Sequence, residues 1–310
     1  MPKVEERSKS SADRVGLALP VSVIVATRNE EKNLPRCLEA LRVAGEVYVI
    51  DSGSTDATVE IARSSGAHVV QFQYRGGWPK KRQWAIENLP LAFDWIFLVD
   101  ADEALTLELA EEIRQAIHNP DIDGYYISLR MYFLGRMLRH GGAGFWKLSL
   151  FRKGKGGYEC RLRDQDASMA DMEIHEHVVV DGPTARLKNP LEHHNVESLS
   201  RYIRKHDEYS NWEAKVWVEG DAKDLKPTFW GTQAQRRRWL KTRFLHVPGA
   251  PLWFFFFKYI FSLGFLDGVP GLIYCGFQAV QVFHVKAKIF EMQRDAELTR
   301  GGINDDRAGG

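Results

Sequence analysis

Cysteine is scarce in this 310-residue chain: Cys37, Cys160 and Cys275 lie far apart, and no Cys-x-x-Cys pair occurs. That excludes a disulfide framework or a cysteine-rich zinc site and fits a reducing compartment. Excess charge is missing too. The 42 Lys and Arg against 41 Asp and Glu leave a formal net charge of +1, so no nucleic-acid partner is expected. No clean apolar run reaches the roughly 20 residues that a membrane span requires. Residues 1–19 are polar and charged, without a signal-type apolar core, and read as a disordered segment with no export function. Residues 295–310, polar and glycine-rich, read as a frayed tail. No internal repeat is visible.

What the chain does contain is a large apolar fraction, 44%, enough for one α/β domain of roughly 200 residues with an appendage. Val21 to Ala26, Val47 to Ile50, Ala67 to Phe72 and Trp95 to Val99 read as strands buried on both faces. Helical patterns lie between them, with Leu34, Cys37, Leu38 and Leu41 on one face of the first. Strand–helix alternation with short links predicts a parallel, doubly wound sheet, whose ligands sit outside the carboxyl ends of the strands. From Gly124 the pattern changes to an α+β continuation expected to cover the sheet. It has strands at Tyr125 to Leu129, Leu148 to Phe151 and Glu173 to Val180, then a long polar helix from Ser198 to about Val218.

Three predicted strand ends carry polar residues. Asp100-Ala101-Asp102-Glu103 follows a buried strand, and two carboxylates at i and i+2 on a turn can share a hard divalent cation. Such an ion neutralises a departing diphosphate. Asp-x-Asp is weak alone and also serves as a helix N-cap, here for a helix over Leu105 to Ile117. Asp51 can accept hydrogen bonds from a base or ribose, or can cap the next helix. Thr27, Arg28 and Glu30 end the first strand, where a guanidinium suits a pyrimidine or phosphate. The loop Arg75 to Gln83 holds Lys80, Lys81 and Arg82, three consecutive cations suited to a diphosphate.

The runs Val-Ile-Val-Ala-Thr-Arg-Asn-Glu, Val-Ile-Asp-Ser-Gly-Ser-Thr-Asp-Ala-Thr and Leu-Val-Asp-Ala-Asp-Glu, in that order, closely resemble the family-two inverting glycosyltransferases of GT-A fold. That likeness covers roughly residues 20–200. Phe133 to Gly142, Ile174-His175-Glu176 and Gly264 to Gly268 resemble the lipopolysaccharide-core β-glucosyltransferase subgroup, bacterial enzymes that extend envelope glycans. The chain departs from the subgroup at Lys81-Arg82-Gln83 and after Gly141-Gly142. The resemblance implies a Rossmann-like nucleotide-diphospho-sugar transferase fold over residues 20–197. Residues 20–120 would bind nucleotide and residues 121–197 acceptor, with a helical, membrane-associating extension over residues 198–294. It further implies that Thr27, Arg28, Glu30, Asp51 and Arg82 contact the nucleotide. Asp100 would lie near the ribose and metal, and Asp102 would ligate Mg2+ or Mn2+ directly.

Inverting transfer also needs a carboxylate to take the acceptor's proton. Asp171, Glu173 and Glu176 are candidates, and Glu176 is favoured because His175-Glu176-His177 lies in the acceptor half. On a strand, Glu176 faces opposite to its histidine neighbours. An ion pair with Arg139, Arg161 or Arg163 is its structural alternative. Arg139, His140 and His175 are assigned to the acceptor side. His175, His177, His193 and His194 lack a helical His-Glu-x-x-His pattern or nearby cysteines, so zinc is not the reading. His193 and His194 are read as acceptor-pocket or packing residues.

Residues 247–290 are the most apolar part, dense in aromatics at Pro251 to Phe261 and broken after Asp267. With the basic Arg236 to Arg243 upstream, they read as a monotopic or peripheral anchor on the cytoplasmic face of the inner membrane. A buried helical pair is the alternative. The expected partners are a UDP-sugar donor, a glycan or lipid-linked acceptor and a membrane surface. Two other functions remain open: transfer to a polyprenyl phosphate, and a non-catalytic nucleotide-sugar-binding scaffold.

Overall fold

The computed structural model describes residues 18–161, 176–195, 198–219, 230, 243 and 247–308. The strands are β1 (Leu19–Thr27), β2 (Ala44–Asp51), β3 (His68–Gln71), β4 (Trp95–Asp100), β5 (Glu103–Ala104), β6 (Gly124–Phe133), β7 (Arg136–Met137), β8 (Trp146–Arg152), β9 (Gly156–Tyr158), β10 (Val178–Val180), β11 (Thr184–Arg186) and β12 (Leu191–Asn195). The helices are α1 (Leu34–Ala40), α2 (Thr58–Ser64), α3 (Lys81–Asn88), α4 (Leu107–Ala116), α5 (Leu199–Glu219), α6 (Ala250–Phe256) and α7 (Gly268–Ala308).

The first four strands form the parallel unit β3-β2-β1-β4 that strand–helix alternation predicts. Alternate residues face two cores, because strand side chains have a period of two. Val23, Val25, Phe97 and Val99 pack with Leu34 and Cys37 of α1 and Leu109 and Ile113 of α4. Ile24, Ile50, Ile96 and Leu98 pack on the other side with Ala85 of α3.

Beyond β4 the structure differs from expectation. The second half does not simply cover the sheet; it lengthens it in the order β4-β8-β6-β12-β5. β8 pairs antiparallel with both β4 and β6. The open edge of β4 would otherwise leave a row of unpaired backbone groups beside a dry core, and the buried run Leu148 to Phe151 supplies the partner. The strand expected from Glu173 begins, among the described residues, only at Val178.

The helical extension packs back on this body. Phe133 meets Tyr202 of α5 and Tyr274 of α7 edge-on. Lys288 of α7 donates to the Asp207 carboxylate at 2.6 Å and to Ser210 Oγ at 2.8 Å on α5. α7 continues to Ala308, through the stretch read as a frayed tail. α6 and a π-helical turn (Phe257–Phe261) join the 3-10 turn Gly264–Asp267 and α7 across a 71° bend, and Ser262 with Leu263 marks the break. No single helix among the described residues is long and apolar enough to cross a membrane, although the bent pair passes that test by length and composition.

Candidate active site

Strand register sets three carboxyl ends level: Thr27 of β1 opposite Asp51 of β2, and Ala26 opposite Asp100 of β4. Asp51 is fully buried. Its Oδ1 accepts from Thr27 Oγ1 at 3.2 Å and from Ser54 Oγ, and its Oδ2 from the Ser54 amide at 2.9 Å and Gln71 Nε2 at 3.1 Å. Asp51 thus ties β1, β2 and β3 together and does not cap α2, whose first amides are met by Asp56. Helix α4 is capped by Thr106, whose hydroxyl accepts from the Leu109 amide at 3.1 Å. Neither carboxylate of Asp100-Ala101-Asp102 is spent as a cap.

The three consecutive cations do not form a solvated basic turn. Lys80, Lys81 and Arg82 are all buried at the head of α3. Successive residues entering a helix point about 100° apart, so each finds a different partner. Lys80 Nζ donates to Glu176 Oε2 at 3.2 Å, Lys81 Nζ to the Thr27 carbonyl at 2.8 Å, and Arg82 to Asp100 Oδ1. One turn of helix thereby joins three of the residues that the sequence nominates.

Asp100 is neutralised twice. Lys147 of β8 donates to its Oδ2 at 3.0 Å and to Glu103 Oε1 at 3.1 Å. Burial opposes ionisation of Asp100, but Arg82 and Lys147 outweigh it and hold the carboxyl far below the usual range. Burial likewise opposes the charge on Lys147, and Asp100 and Glu103 more than offset it, keeping the ammonium charged beyond the ordinary lysine range.

Asp102 is placed differently. Its carboxylate accepts no hydrogen bond among the described residues, and the nearest charged group is His193 Nε2 of β12, 3.6 Å from Oδ2. His193 Nδ1 lies 3.8 Å from Glu103 Oε1. Burial favours neutral imidazole, but Asp102, then Glu103 and Asp100, raise the His193 pKa to about 9. The Asp102 carbonyl accepts from the His194 amide at 2.8 Å, and the His194 ring stacks on Tyr132.

Glu30, buried, faces the helical extension: Arg201 Nη2 lies 2.7 Å and Lys205 Nζ 3.4 Å from its Oε1. Arg28 is exposed, and its carbonyl accepts from Arg201 at 3.3 Å. Glu176 is buried while His177 beside it is exposed, so the two point apart as expected although the segment is not strand. Lys80 forms an ion pair with Glu176 at 3.2 Å. Lys80 in turn lies 5.2 Å from the Trp212 ring of α5. Arg139 and His140 sit at the base of the bent hairpin: both amides donate to Asp267 Oδ2, at 3.0 and 2.8 Å. His175, Asp171, Glu173 and Arg163 lie outside the described residues, as does Arg236 to Arg243 apart from Arg243.

Sequence reasoning missed Lys147, Glu103 and the pair Arg201 and Lys205, and it read His193 as an acceptor-pocket or packing residue. A lysine next to the buried run of β8 was the available signal, since a lysine drawn toward a core needs partners. The α5 cations had none, because a polar helix looks alike on every solvated face.

The family model "Glycosyl transferase family 2" matches residues 22–178. A lipopolysaccharide core biosynthesis glycosyltransferase, LpsC, of Rhizobium meliloti is 28% identical over 93% of this chain and 97% of its own. An uncharacterized glycosyltransferase of Rickettsia felis is 30% identical over 64% of this chain and 70% of its own. Among solved structures, glucosyl-3-phosphoglycerate synthase from Mycobacterium tuberculosis with Mn2+, UDP and glucosyl-3-phosphoglycerate shows 20% identity and a TM-score of 0.29, over 43% of this chain and 51% of that one. The chain belongs to glycosyl transferase family 2, with a GT-A fold and a C-terminal helical extension.

Proposed function

We propose that this glycosyltransferase moves a hexose, glucose first among the candidates, from a UDP-sugar to a bacterial envelope glycan or glycolipid with inversion. The observation that carries this reading is the level edge of Thr27, Asp51 and Asp100, with Asp102 facing His193 just beyond it. Thr27 and Asp51 form the nucleoside end of that edge. Identity to the lipopolysaccharide core enzyme along nearly the whole chain supports an envelope acceptor.

Mg2+ or Mn2+ fits Asp102 better than Asp100. Both oxygens of Asp100 are taken by cations, whereas Asp102 and His193 present a carboxylate and an imidazole side by side. Asp102 and His193 would hold the ion, with Glu103 orienting the imidazole from behind, an arrangement common around metal ligands. Its remaining ligands would be water and phosphate oxygens, which hard cations accept. When bound, the ion supplies neutralising charge to the departing diphosphate. Asp100 has a separate task, fixing Arg82 and Lys147 at the end of β4.

Glu176 takes the proton. As the acceptor oxygen bonds to the anomeric carbon, the bond from that carbon to the diphosphate breaks, and the acceptor proton passes to the Glu176 carboxylate. Lys80 fixes that carboxylate against the head of α3. Glu176→Gln is expected to lose transfer about a hundredfold or more while still binding UDP. Near-normal transfer would remove Glu176 from the role.

The hairpin supports a peripheral or monotopic place on the cytoplasmic face of the inner membrane. Trp253 is 64% and Phe261 77% exposed, and Phe257, Phe265, Leu266 and Val269 are exposed beside them. A contiguous aromatic surface of this kind suits the headgroup boundary.

A further inference from the structure

The donor's diphosphate needs positive charge, and the sheet side of the site has its cations already engaged. Lys80, Lys81 and Arg82 serve Glu176, the Thr27 carbonyl and Asp100, and Lys147 serves Asp100 and Glu103. The opposite wall is α5. Arg201, Lys205 and Tyr209 recur every four residues, so they share one face at steps of about 6 Å. Arg201 is held on Glu30 and on the Arg28 carbonyl. Lys205 reaches Glu30 only at 3.4 Å, and its side chain is 35% exposed. Burial works against its charge, but Asp102 and then Glu30 outweigh it, so Lys205 lies within electrostatic reach of the metal motif. Burial pushes the Tyr209 hydroxyl, one turn on, above its usual range, Lys205 opposes the rise, and Asp102 and Asp100 add to it. A long flexible stem that has one marginal contact among the described residues, at 3.4 Å on Glu30 beside the β1 end, is built to change partner.

We propose that Lys205 binds the donor diphosphate, a cation supplied by the helical extension and not by the sheet. This rests on the UDP-sugar reading above. On donor entry the Lys205 ammonium exchanges Glu30 Oε1 for a phosphate oxygen, while Arg201 keeps Glu30 and the β1 end in place.

The test compares UDP with uridine, which lacks the diphosphate, by calorimetry on the full chain with Mn2+ present. Lys205→Met is expected to weaken UDP about tenfold to a hundredfold, the worth of a charge-assisted hydrogen bond, and to leave uridine unchanged. Lys205→Arg is expected to retain most UDP affinity. Unchanged UDP binding in Lys205→Met, or equal weakening of UDP and uridine, would overturn the proposal; equal weakening marks a structural role. An unaltered protein that binds neither UDP nor ADP nor GDP overturns the donor reading and this inference together.

Discussion

The Lys147 ammonium lies between two carboxylates, 3.0 Å from Asp100 Oδ2 and 3.1 Å from Glu103 Oε1. The strand β8 that carries it joins the parallel half of the sheet to its mixed half. One half-buried cation therefore ties Asp100 and Glu103 to the strand that links the two parts of the sheet.

Removing that cation leaves two carboxylates crowded at the end of β4. Lys147→Met is expected to destabilise the fold by about 3–5 kcal/mol, the range seen when one partner of a buried pair is removed. Urea unfolding measures it. Lys147→Met combined with Glu103→Gln should cost less than the sum of the two single changes, since they share one contact.

Asp100 and Asp102 should separate in stability. Asp100→Asn removes the charge that Arg82 and Lys147 share and is expected to lower stability by about 3–5 kcal/mol. Asp102→Asn removes a 3.6 Å approach to His193 and no hydrogen bond among the described residues, and should cost less than Asp100→Asn in metal-free protein. Equal losses in thermal unfolding would contradict the division of labour between them.

His193 gives a pH signature. Its folded pKa of about 9 lies above the unfolded value of 6.5, so its stabilisation is complete below 6.5 and fades as pH rises through 9. Metal-free protein in chelator should therefore lose melting temperature between pH 6.5 and 9. His193→Gln should flatten that slope; an unaltered slope would mean that other groups set it.

At the hairpin, Phe257→Ser and Phe261→Ser each remove an exposed aromatic worth about 1.5–3 kcal/mol on burial in lipid. Each is expected to weaken flotation with vesicles of phosphatidylethanolamine and phosphatidylglycerol about tenfold or more. Flotation equal to the unaltered protein would remove the hairpin from the membrane reading.

Much of the parallel half was legible from local pattern. The runs ending at Thr27, Asp51 and Asp100 are buried on both faces, and such strands carry an unbroken apolar signal. Register then brings their ends level, a consequence of pairing that motifs alone foreshadow. What stayed hidden was non-local. Nothing near Lys80 in sequence points to Glu176, 96 residues away, nor does anything near Glu30 point to Arg201. The meeting of β8 with β4 was hidden for the same reason, since sheet order depends on which edge is left open. The tail beyond residue 294 misled because polar composition suits a solvated helix as well as a coil.

The most direct test of the central claim is release of UDP from a panel of UDP-sugars, measured with and without Mn2+ or Mg2+, for the unaltered protein and Asp102→Asn. The account predicts cation-stimulated release for at least one hexose donor and a loss of about a hundredfold or more in the variant. Release that ignores the cation, or that survives Asp102→Asn unchanged, would contradict it.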